Sequence, residues 1–130
     1  MNEESEFRCG YIMGLIVGEG YFTRDGLEPC MGMKLSAHDP RPLEEAQRFL
    51  GGRLYGPYMH DGRYARVWLL RGQALRRAVP ILERYLPESR KREQFEAWRA
   101  GLRFEDPAPW TGLGNVGRGT LDDHPVLPGI

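Results

Sequence analysis

Residues 10–20 read Gly10-Tyr11-Ile12-Met13-Gly14-Leu15-Ile16-Val17-Gly18-Glu19-Gly20, and the fold turns on how this stretch is placed. Phe7, Tyr11 and Leu15, with Ile12 and Ile16 beside them, recur at helical spacing and predict a helix over residues 5–18. Ser5 is the expected N-cap, and Gly20 the expected stop, in the left-handed conformation of a C-terminal cap. Gly10, Gly14 and Gly18 lie four apart and so line one stripe down the helix. Each glycine inside a helix costs about 1 kcal/mol against alanine, so the stripe needs a reason. Close approach of a second helix is the usual one. Glu19 follows at the negative pole of the helix dipole, where a carboxylate is unfavourable unless compensated, and a divalent cation compensates it. If a second copy packs stripe to stripe about a two-fold axis, two Glu19 carboxylates and nearby backbone carbonyls converge. That is an oxygen-only site of the kind Mg²⁺ prefers.

Working outward, residues 21–24 and 30–36 read as strands joined by a turn at Asp25-Gly26, with Met31, Met33 and Leu35 on one face and Gly32, Lys34 and Ser36 on the other. Asp39-Pro40-Arg41-Pro42 followed by Leu43, Ala46, Phe49 and Leu50 reads as a capped helix stopped by Gly51-Gly52. A second hairpin spans residues 53–59 and 64–71 around His60-Asp61-Gly62, with Ala65, Val67 and Leu69 expected to face the core and Tyr64, Arg66 and Trp68 to face away. Residues 73–86 predict a third helix, with Pro80 inside it, and residues 90–102 a fourth carrying Phe95, Trp98 and Leu102. From Glu105 onward Pro, Gly and Asp dominate and periodicity is lost, which divides the chain into a domain of residues 1–104 and a tail of residues 105–130.

This order makes two successive helix-strand-strand units followed by helices. The expected class is α+β: an α-β-β-α-β-β-α saddle with a four-stranded antiparallel sheet and helices on one face. The uncovered face is expected to carry Arg24, Lys34, Arg53, Tyr64, Arg66 and Trp68, a surface suited to DNA.

The chain has 130 residues, 41% hydrophobic and 28% charged, which is enough for one domain and excludes a multidomain enzyme. No apolar run approaches the roughly 20 residues a membrane helix needs, and the N-terminus is acidic where a signal peptide is basic, so a cytoplasmic protein is expected. Cys9 and Cys30 are too few for a disulfide scaffold or a thiolate zinc site, and three histidines show no ligand spacing. Formal net charge is zero, but acids gather at the two ends: residues 7–104 hold 17 bases against 11 acids. Between Arg53 and Arg77 six arginines meet one acid, Asp61, so a locally positive surface survives the neutral average.

The run Ile12 to Gly20 resembles the nine-residue signature of the LAGLIDADG homing endonuclease family. The similarity continues through Tyr21-Phe22, Lys34 to Asp39, Pro42-Leu43, Phe49-Leu50-Gly51-Gly52, Tyr55-Gly56-Pro57-Tyr58, Tyr85-Leu86 and Arg90 to Phe95, over residues 8–102. The resemblance implies the saddle fold, with its sheet in the major groove of double-stranded DNA and paired motif helices between domains. With one motif per chain, it implies a homodimer through Gly10, Gly14 and Gly18 that cuts a pseudo-palindromic site. It implies Glu19, at the eighth motif position, as catalytic carboxylate, with Mg²⁺ (or Mn²⁺) held by that carboxylate and the Gly18 carbonyl. The sixth position, commonly Asp, is Val17 here, a departure that leaves the catalytic acid in place. The resemblance also implies a basic residue near the scissile phosphate, for which Arg71 is the first candidate and Lys34 the second. The alternative on the same scaffold is a catalytically inactive DNA-binding regulator or an RNA-binding intron maturase.

Overall fold

The computed structural model describes residues 2–102, so the division that sets off a tail from residue 105 falls outside the described residues. The elements are α1 (Glu3–Glu19), β1 (Gly20–Asp25), β2 (Glu28–Ser36), α2 (Arg41–Leu50), β3 (Arg53–His60), β4 (Arg63–Arg71), α3 (Gly72–Tyr85) and α4 (Arg90–Ala100). All strand neighbours are antiparallel, in the order β1-β2-β4-β3. The order expected from the sequence is the order observed, with four helices packed on one face of the sheet.

Each end of α1 differs from expectation for a local reason. The cap is Asn2, whose Oδ1 accepts from the Ser5 backbone N–H at 2.8 Å, and Glu3, Glu4 and Glu6 fill the first turn, where acids suit the dipole. Ser5 is therefore inside the helix rather than its cap. Gly20 is extended (φ −73°, ψ 158°), not left-handed, and already belongs to β1. A Cβ at Gly20 would lie 2.8 Å from the Ile16 carbonyl oxygen, so glycine is needed there to let the strand fold back tightly against the helix it leaves. α2 likewise departs from expectation: its cap is Pro40, which has no side-chain acceptor, and Asp39 Oδ1 accepts instead from the backbone N–H (3.2 Å) and the guanidinium (2.7 Å) of Arg41.

The core lies between the helices and one sheet face. Ile12 and Ile16 of α1, Leu43 of α2, Leu75 and Leu82 of α3, and Phe95 of α4 meet Met31, Met33 and Leu70 from the strands, all fully buried. α4 covers β1 through the rings of Phe22, Phe95 and Trp98, with centroids 5.1 to 6.0 Å apart, and the Trp98 indole donates to the Thr23 carbonyl at 2.9 Å. Arg92 closes the α3–α4 corner by donating to the carbonyls of Glu83 and Leu86.

The phase of β4 is opposite to the one expected. Met33 pairs with Trp68 and Met31 with Leu70, so Trp68 and Leu70 face the helices, while Val67 and Leu69 pair with Lys34 and Gly32 on the other face. Val67-Trp68-Leu69-Leu70 is apolar in both phases, so alternation along this strand does not choose between them. Trp68 is completely buried and its indole donates to the Gly51 carbonyl at 2.8 Å. Val67 and Leu69 are buried nonetheless, under Tyr21, Tyr55 and Tyr58, which roof them on the helix-free face.

Candidate metal site and nucleic-acid face

α1 divides cleanly into two sides. Cys9, Ile12, Met13 and Ile16 are buried against the sheet and the other helices. Opposite them Gly10, Gly14 and Gly18 are exposed, and a Cβ built on any of the three meets nothing within 4 Å. Phe7 (77% exposed) and Tyr11 (41%) stand beside this bare ridge. Internal packing, the other explanation for a glycine stripe, is thereby excluded within the described chain.

The ridge ends at Glu19, the last residue of α1, which is exposed and has no base in the final helical turn behind it. From α4 the Lys91 ammonium donates to the carbonyl of Gly20, the residue after Glu19. Lys91 was not among the candidate site residues, although it lies in the Arg90 to Phe95 segment that carries the resemblance. The available signal was that it is one of only two lysines among 18 bases. Among the described residues no three His, Cys, Asp or Glu side chains converge. One copy therefore offers the Glu19 carboxylate and the Gly18 carbonyl, hard oxygen donors that suit Mg²⁺ but amount to part of a site.

The two proposed basic partners of Glu19 are separated by the register. Gly20 pairs with Met33, which sets Lys34 one step past the start of β1, at the Glu19 end of the sheet. Arg71 pairs with Cys30, about 10 Å along the strands from the Gly20 level and two strands across, also about 10 Å. Its Nη1 lies 3.3 Å from both Asp25 Oδ2 and Glu28 Oε1, at the β1–β2 turn. Its guanidinium therefore lies at the corner of the sheet away from the Glu19 end.

The helix-free face also differs from the expected set. Lys34 and Arg53 are on it, the latter paired with Leu69. Arg24, Tyr64, Arg66 and Trp68 are not, since their partners Pro29, Met59, Leu35 and Met33 share the helix-side phase. Arg24 instead donates to the Gly101 carbonyl at 3.2 Å. In their place the face presents Arg63 and His60, which pair with each other at the β3–β4 turn, and the three tyrosines over Val67 and Leu69. These residues were legible only with the correct phase of β4. Lys34, Ser36, His38, His60 and Arg63 line an open groove between the end of β2 and that turn. Burial pushes the Tyr21 hydroxyl far above its ordinary range and the Cys30 thiol up to about 11.

No protein-family model and no curated protein matches the sequence. Solved structures match it in three dimensions. The I-LtrWI LAGLIDADG homing endonuclease bound to target DNA aligns with a TM-score of 0.61 at 17% identity, over 74% of this chain and 36% of that one. The fold is the LAGLIDADG saddle. The homing endonuclease I-TnaI shares it at a TM-score of 0.60 and 20% identity, over 98% of this chain and 92% of that one. I-SmaMI, bound to uncleaved DNA target in the presence of calcium ions, shares it at 0.59 and 13%, over 89% and 40%. The chain thus spans about a third of the length of I-LtrWI and nearly all of I-TnaI. In this chain the saddle's helix-free face holds the tyrosines and the basic residues, and the glycine ridge lies along the first helix.

Proposed function

We propose that two copies of this chain form a homodimeric, divalent-metal-dependent endonuclease of the LAGLIDADG family that cuts both strands of a specific, pseudo-palindromic DNA site. One observation carries the reading: a helix ridge bare of side chains, uncovered by any of the described residues, that runs straight to an exposed carboxylate. Two such ridges packed about a two-fold axis bring two copies of Glu19 together at the junction of two saddles, and identical saddles read two related half-sites.

In this reading Glu19 and the Gly18 carbonyl of each copy hold Mg²⁺ (or Mn²⁺), which supplies Lewis-acid charge neutralisation for phosphodiester hydrolysis. The chain's own part is placement. α1 is fixed by the core on one side and by its twin on the other, so the carboxylate is held by two rigid helices rather than a loop. Lys91 pins the α1–β1 junction and sets a positive charge one residue from Glu19, where a scissile phosphate needs it; Lys34 is the second base at this end. Arg53, Arg63 and Lys34 neutralise phosphates along the groove, and the tyrosines form a firm floor against base edges. Free, buried Cys9 and Cys30 suit a reducing cytoplasm.

The test is cleavage of a duplex selected for binding, in Mg²⁺ and in Mn²⁺, by the natural chain and by Glu19→Gln. Double-strand cleavage by the former and binding without cleavage by the latter are expected. Binding without Glu19-dependent cleavage in either metal would leave a DNA-binding regulator in place of a nuclease.

A further inference from the structure

The four strands contain only two acids, Asp25 and Glu28, and the fold sets them opposite each other at one corner of the helix-free face, where β1 turns into β2. Arg71 reaches both carboxylates with Nη1, at 3.3 Å each. The acids lie outward and the arginine beneath them: the side chains are 55% and 38% exposed against 21% for Arg71. Two carboxylates against one guanidinium make this corner negative on a face that otherwise presents Lys34, Arg53 and Arg63. A phosphate is repelled there. A base edge that donates a hydrogen bond is not, and in the major groove the donors are the amino groups of cytosine and adenine, carboxylates pairing with cytosine N4.

We propose that Asp25 and Glu28 are specificity-determining residues that accept from the N4 amino group of a cytosine, with Arg71 as the positioning residue that fixes their orientation. This rests on the DNA-binding reading above. The register also places the contact. Asp25 is five residues along β1 from Gly20, so about 17 Å from the Glu19 end at the usual strand rise. At about 3.4 Å per base step, that is roughly five base pairs outward from the centre of symmetry, where the two Glu19 ends meet, in each half-site.

The experiment is selection from a randomised DNA duplex library without a cleaving metal, with the natural full-length chain, the double variant Asp25→Ala/Glu28→Ala, and Arg71→Ala. For the natural chain, cytosine is expected about tenfold over the other bases at one position per half-site, four to six base pairs from the centre of symmetry. Both variants should lose that preference while the inner positions stay as selective as before. Should Arg71→Ala fail to fold, the two exposed acids carry the test alone. Adenine in place of cytosine, an unchanged preference in the double variant, or a uniform loss of affinity across positions overturns the inference and leaves the nuclease reading standing. Failure of the natural chain to enrich any duplex overturns both.

Discussion

Gly10→Ala combined with Gly14→Ala has opposite effects on the single copy and on the pair, which makes it a sharp test of the ridge. In one copy the added methyl groups meet nothing within 4 Å among the described residues, so they bring no strain there. Each replaces an interior helical glycine and stabilises α1 by roughly 0.5 to 1 kcal/mol, about 1 to 2 kcal/mol together. For a domain of this size each kcal/mol raises Tm by roughly 4 to 8 °C. In the proposed pair the same methyl groups would stand where two helix backbones approach most closely, four of them across one contact. Overpacking of that kind costs about 1 to 3 kcal/mol, which raises the dimer Kd by roughly 5- to 150-fold. Thermal unfolding at concentrations where the chain is single, and sedimentation equilibrium across the dimerisation range, read the two effects separately. A higher Tm with an unchanged dimer Kd would show that the ridge faces water in the assembly; a lower Tm would show that it is covered within one copy.

Three further outcomes follow from particular contacts. Lys91→Ala should slow single-turnover cleavage at saturating Mg²⁺ by tenfold or more while duplex affinity changes little; an equal loss in both would make Lys91 a general DNA contact instead. Trp68→Ala should cost about 3 to 5 kcal/mol in urea unfolding, because it empties a fully buried site and removes the bond to Gly51, and a loss of DNA affinity without loss of stability would contradict its burial. The Cys30 thiol, held up to about 11 against an ordinary 9.0, stays protonated in the folded chain at pH 9 to 10, whereas the unfolded chain ionises there. Its share of stability is therefore present below about pH 9 and lost as pH rises toward 11, and alkylation of the folded chain by iodoacetamide should lag that of the urea-unfolded chain across this range.

The parts of the molecule legible in the sequence are those fixed by local spacing. The fourfold interval of Gly10, Gly14 and Gly18 is a statement about one helix face, and it holds wherever that helix packs. Turn residues such as Gly26 and Gly62 bounded the hairpins for the same reason, and both have positive φ. What local spacing could not supply was phase and distance. Val67-Trp68-Leu69-Leu70 offers an apolar residue to either face, so only pairing with Met31 and Met33 decides that Trp68 goes inward. Arg71 finds its acids 43 and 46 residues earlier, and Lys91 meets Gly20 across 71 residues, contacts that exist only once α4 has packed on β1 and the sheet has closed. That the sequence did not show the place of Arg71 in the sheet, nor single out Lys91, has that one cause.

The most direct probe of the central claim is a crosslink at the end of the ridge. Cys9 and Cys30 are buried, so Glu19→Cys gives one reactive thiol per chain. Under mild oxidation that variant should be captured as a disulfide-linked dimer, while a control substitution at the exposed β1–β2 turn, the opposite end of β1 from Glu19, Leu27→Cys, should remain single. Equal capture of the two variants, or no covalent dimer from Glu19→Cys at concentrations where the chain sediments as a pair, would mean that the two carboxylates never meet.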